Sequence, residues 1–150
     1  LAPMTSFADT PYWDDLNYSS NMASLPSDLR LGAWSRLDQA INELSSTDGP
    51  IYVVSGPIYK TGEFDSVKRY EEPPESYFKV VATEKAYASF TFPVELPIHA
   101  EYCSQVETID EIQELSGLQI FPHMKSVLHP DLYGRLKCEQ QFESFKDRNN

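Results

Sequence analysis

The chain has 150 residues, enough for one domain with a real core and hardly for two. With 41% hydrophobic and 13% aromatic residues it falls outside the disordered class, and no apolar run reaches the length that crosses a membrane. Twelve Lys and Arg against 23 Asp and Glu leave a formal charge of −11, which disfavours nucleic-acid binding unless the few cations cluster, because such affinity comes from neutralising phosphates.

Residues 1–27 are rich in Ser, Pro, Asp and aromatics, a composition of loops with short extended pieces. Tyr12, Trp13, Leu16 and Tyr18 are expected to anchor this loop on the core. A helix follows from about Leu29 to Leu44, since Trp34, Leu37, Ile41 and Leu44 recur at helical spacing and Ser27 or Asp28 can cap its start. The turn formers from Ser45 to Pro50 are expected to end it. Ile51 to Val54 reads as a buried strand closed by Ser55, Gly56 and Pro57, and residues 60–76 as a charged, solvated connection.

Tyr77–Thr83 and Ala86–Phe92 are two further strands, with Glu84 and Lys85 as the turn between them. Thr108–Leu115 is a short helix with a capping box of Thr108 and Glu111, ended by Gly117, with Ile109, Ile112 and Leu115 facing the core. Cys103 and Cys138 have no zinc-like spacing, and either a bridge or two buried thiols accounts for them, the thiols being the simpler account. Lys68 with Arg69, and Arg135 with Lys137, come nearest to a basic patch. The elements together predict an α+β domain with an antiparallel-rich sheet.

The order Ser20-Asn21-Met22-Ala23, then Gly32-Ala33-Trp34-Ser35-Arg36-Leu37-Asp38, resembles the helix-entry motif of the DNA/RNA non-specific endonucleases, the endonuclease G branch of the ββα-metal superfamily. Ser20, Asn21, Gly32, Trp34 and Leu37 match that motif in register, and Asp38 replaces its Glu. Val53–Ile58, the Tyr77–Thr83 strand, Pro93 and the run from Ser116 to Pro122 are similar to later stretches of the family. Leu1-Ala2-Pro3 is similar to the residues directly after the histidine that serves as the family's general base. The resemblance covers residues 1–122, a nuclease-like C-terminal portion, and leaves 123–150 as an unrecognised tail.

The resemblance implies a ββα-metal fold whose N-terminal portion lies upstream of Leu1. It also implies a sheet edge covered by that upstream piece or by another protein chain, and a mitochondrial or secreted location. At the positions that would carry the chemistry the sequence departs. The family's metal-binding Asn falls on Arg30, its Pro-Gln pair on Ser24 and Leu25, and Val94 replaces an Asn. A guanidinium has only donors and a permanent charge, so Arg30 would repel a cation. His99, His123 and His129 lie outside the motif that supplies the base, and Arg36 reads as an exposed helical Arg in preference to a phosphate contact.

Asn21, Leu25, Arg30 and Asp38 are thus degenerate family positions, and the reading is a non-catalytic binding or structural subunit of a larger assembly that needs no cofactor and does not take nucleic acid. The alternative is a Mg²⁺-dependent nuclease hydrolysing DNA and RNA phosphodiesters with its catalytic histidine on an upstream segment.

Overall fold

In the computed structural model the described residues are 1–3, 6–59, 73–123 and 130–138, and every structural statement concerns these. The expected loop 60–76 lies largely outside them, as do Lys68, Arg69 and His129. Four α-helices and three strands make an α+β architecture: α1 Ser27–Leu31, α2 Ala33–Asp48, β1 Tyr52–Ile58, β2 Ser76–Ala82, β3 Tyr87–Pro93, α3 Ile109–Ser116 and α4 Pro130–Arg135. The sheet is antiparallel in the order β1-β2-β3, with Tyr52 opposite Ala82 and Ala82 opposite Tyr87.

Both faces of β2 are buried, and its alternation sorts the core into two layers. Tyr77 and Val81 turn toward α1 and α2, where Leu29, Ala33, Trp34, Leu37, Ile41 and Leu44 supply the apolar stripe. Phe78, Val80 and Ala82 turn the other way, onto Ile109 and Ile112 of α3 and Ile58 of β1. α4 joins the first layer through Leu132 and Tyr133, and the Tyr133 hydroxyl accepts from the Ser89 amide at 2.9 Å. Trp34 packs edge-on against Tyr77 and Phe92, with ring centroids 6.1 and 5.5 Å away.

The structure corrects several boundaries. The expected single helix is two, because the backbone turns at Gly32. A side-chain carbon there would come within 2.5 Å of the Asp28 and Ile98 carbonyl oxygens, so only glycine lets the 97–100 loop dock on the junction. Neither Ser27 nor Asp28 caps α1, since Pro26 occupies the cap position and no side chain bonds there. α2 runs on to Asp48 in place of stopping at Leu44. The hydroxyls of Ser45, Ser46 and Thr47 donate back to the carbonyls of Asn42, Glu43 and Leu44, which satisfies those groups without breaking the helix.

β1 continues through Ser55, Gly56 and Pro57 to Ile58, and its start is exposed at Tyr52 and Val53. It is a terminal strand of the sheet, where a proline without an N–H is tolerated. Tyr12, Trp13 and Tyr18, expected on the core, are exposed. The Thr108 hydroxyl accepts from the Glu111 amide at 3.2 Å, but the Thr108 amide is bound by Glu107, so the capping box is half formed. Gly117 ends α3 in the left-handed conformation, as the sequence indicates.

Cys103 and Cys138 form a disulfide, where two thiols were the simpler expectation. Both sulfurs arrive at the first core layer, one from the turn Tyr102–Gln105 and the other just beyond α4. Chemical denaturation is expected to show that replacing both cysteines by Ser costs about 2–4 kcal/mol. Gly32→Ala is expected to cost about 1–3 kcal/mol, since two backbone carbonyls cannot yield as a side chain would.

Candidate functional site

Asn21 ends a short 3₁₀ turn, Ser19–Asn21, and lies at the corner where the chain begins. Its side chain works as a staple. Oδ1 accepts from the Ala2 amide at 2.6 Å, while Nδ2 donates to the Ala2 carbonyl at 3.1 Å and to the Leu16 carbonyl at 3.0 Å. The Leu1 amine donates to the Asn21 backbone carbonyl. Both amide hydrogens of Asn21 are therefore committed, and so is one face of its oxygen.

Asp38 lies one helical turn after Trp34 on the same face of α2, and the ammonium of Lys79 comes to both. Lys79 is 1% exposed and occupies a core-facing position of β2 between Tyr77 and Val81. It pairs with Asp38 and stands 3.9 Å over the Trp34 ring. Burial pushes Lys79 down to about 8, although the Asp38 charge and hydrogen bond pull the other way. Burial also pushes the Asp38 carboxyl up, against the same pairing. The Leu1 backbone nitrogen lies in the same field.

The structure thus brings together Leu1, Asn21, Asp38 and Lys79. Arg30 stands apart, exposed in the last turn of α1, with no ion pair among the described residues. Leu25 is half-buried against the first core layer, and the carbonyl of the neighbouring Ser24 accepts from the Tyr77 hydroxyl at 2.9 Å. Arg36 is half-buried, not the exposed helical Arg expected, and donates to the carbonyls of Ile98 at 3.2 Å and Ala100 at 2.6 Å. Arg135 and Lys137 are paired with Asp48 and Glu43. His99 and His123 are exposed.

Lys79 was missed by the sequence reading, although a signal was present. A lysine inside Tyr77-Phe78-Lys79-Val80-Val81-Ala82, a run apolar on both strand faces, has no solvent-facing side to occupy and so requires a buried partner.

Comparison with known proteins agrees with this framework. The family model for DNA/RNA non-specific endonuclease matches residues 1–126. A protein named Nuclease from Serratia marcescens is 35% identical over 129 residues, covering 80% of this chain and 48% of that protein. The chain belongs to the DNA/RNA non-specific endonuclease family, and its α+β fold with an antiparallel sheet is consistent with the ββα-metal class. It spans about half the length of the relative it matches.

The buried pair predicts a stability profile with a definite sign. Between about pH 8 and the ordinary lysine range the unfolded chain holds a proton on Lys79 that the folded chain releases, so stability rises with pH through that window. Denaturant midpoints measured from pH 7.5 upward should increase, and the increase should vanish in Lys79→Met. That variant leaves Asp38 unpaired and partly buried, and it is expected to lose about 3–5 kcal/mol near neutral pH.

Proposed function

We propose that this chain is a non-catalytic member of its family, serving as a binding or structural subunit of a larger assembly. The observation that carries the reading is Arg30, whose exposed guanidinium stands where the resemblance puts a metal-holding Asn. The Mg²⁺ that the family resemblance implies finds a poor donor set. Arg30 offers no acceptor, the Asn21 carboxamide is committed to Ala2 and Leu16, and the Asp38 charge is balanced by Lys79. Net acidity and the pairing of Arg135 and Lys137 support weak affinity for nucleic acid.

The outer edge of β1 carries no paired strand among the described residues, and Tyr52 and Val53 are exposed there. An open edge is an association hazard, which supports cover by another chain or by further residues of the same polypeptide. The disulfide supports an oxidising, secretory setting over a reducing one. No helix among the described residues is long and apolar enough to cross a membrane.

A second reading is a Mg²⁺-dependent nuclease whose base lies on a residue before Leu1. It is favoured by the place of the Leu1 nitrogen, which lies against the Asn21 carbonyl and within the field of Asp38 and Lys79. Incubating the purified protein, extended upstream of Leu1, with plasmid and RNA in Mg²⁺ separates the two. No cleavage above background is expected, and robust EDTA-sensitive digestion would overturn the first reading. If Arg30→Asn creates activity where none existed, the native chain is not an enzyme.

A further inference from the structure

The segment from Ser6 to Met22 is a chain of tight turns, closed by backbone bonds such as Thr10 to Phe7, Asp15 to Tyr12, Tyr18 to Asp15 and Met22 to Ser19. It is tied down at both ends. The Ser6 hydroxyl donates to the Asn42 side chain at 2.6 Å, and Asn21 holds Leu16 and Ala2. Its rings face solvent: Tyr12 is 67% exposed, Trp13 45% and Tyr18 65%, and Phe7 and Met22 are exposed as well. Scattered exposed apolar side chains are ordinary, but such a concentration in one short, anchored segment marks an interaction surface.

Charge selects the occupant. Asp9, Asp14 and Asp15 lie among these rings, all exposed and none in an ion pair among the described residues. The first Lys or Arg in the sequence is Arg30, so every charged side chain of the segment is negative. Phosphates and anionic lipid headgroups are repelled by such a surface, which disfavours nucleic acid and membrane. A second copy brings the same charge, on a chain whose formal net is −11. A cationic protein segment meets both features at once. Its Arg and Lys heads can stack on the faces of Tyr12, Trp13 and Tyr18 and pair with the neighbouring carboxylates, and its aliphatic side chains can cover the ring edges.

We propose that residues 6–22 form a docking surface for a basic, Arg- or Lys-rich protein segment, with Tyr12, Trp13 and Tyr18 as anchors and Asp9, Asp14 and Asp15 as counter-charges. The proposal is independent of whether the chain cleaves nucleic acid.

The test is calorimetric titration of the full-length protein with a synthetic peptide alternating Arg and Leu, beside a control peptide alternating Glu and Leu. Binding of the first alone is expected. The double variant Trp13→Ala/Tyr18→Ala, neutral in charge, should weaken it by about tenfold or more, as loss of aromatic anchors does. Asp14→Asn/Asp15→Asn should weaken it several-fold and flatten its salt dependence. Unchanged near-ultraviolet circular dichroism checks that the variants fold, and Tyr12→Ala provides a second ring deletion should the pair fail to fold.

Equal binding by the ring variants would reduce the effect to general charge attraction and overturn the proposal. So would the absence of peptide binding, or binding of phosphatidylserine vesicles or an oligonucleotide through the same residues. Self-association abolished by Trp13→Ala/Tyr18→Ala would assign the surface to a second copy. Shielding of Trp13 from acrylamide in the full-length protein before any peptide is added would show that its own chain already covers the site. Either result sinks the idea.

Discussion

The buried ammonium of Lys79 sets the terms for the rest of this fold. A charge with 1% exposure survives only where a counter-charge and a polarisable surface are fixed beside it, and here both come from one face of α2, as Asp38 and Trp34. The requirement locks helix to sheet. Turning α2 by a single residue swings Asp38 about 100° away and leaves the lysine in an apolar layer of Phe, Val and Leu. Apolar packing tolerates small slips, whereas a desolvated ion pair does not, so this contact specifies the helix's register more sharply than Leu37 or Ile41 can.

Around that pair, polar side chains hold the framework together. Asn21 binds the chain start to the turn at Leu16, and Arg36 gathers the carbonyls of the 97–100 loop against the junction that Gly32 leaves open. Asp38 neutralises a core lysine. These groups are polar and partly buried, and of the three only Asn21 has most of its side-chain hydrogen-bonding capacity used inside the protein, while Asp38 bonds through one oxygen and Arg36 through two of its N–H groups. Arg30 differs because it is exposed and held by no ion pair among the described residues.

Much of the fold was legible in the sequence because its signals are local. Strands β2 and β3 and helix α3 follow from β-branched and aromatic runs, a threonine cap and a terminal glycine. The errors came where distant parts of the chain decide the outcome. At Gly32, where the helix breaks, the Ile98 carbonyl from 66 positions further along comes so close that there is no room for a side chain. The serines after Leu44 extend the helix by bonding back to it. Composition places Tyr12, Trp13 and Tyr18 against the core, but they are exposed in a run of tight turns. The family register singles out Asn21, Arg30 and Asp38, of which the structure puts Asn21 and Asp38 in one cluster and leaves Arg30 apart. It could not reveal that Asn21 and Asp38 are already partnered, since Lys79 and Ala2 are their neighbours only in space.

The bridge between Cys103 and Cys138 joins two stretches that lie 35 residues apart in sequence, and it encloses α3 and α4 within one covalent ring. A protease that cuts the chain anywhere inside that ring opens the backbone without releasing a fragment. Leu132, Tyr133 and Leu136 would remain seated against the sheet, and the nick would become visible only once a reductant separated the pieces. While it stays oxidised, the sulfur link turns a scission that would otherwise strip away one wall of the core into a silent scar.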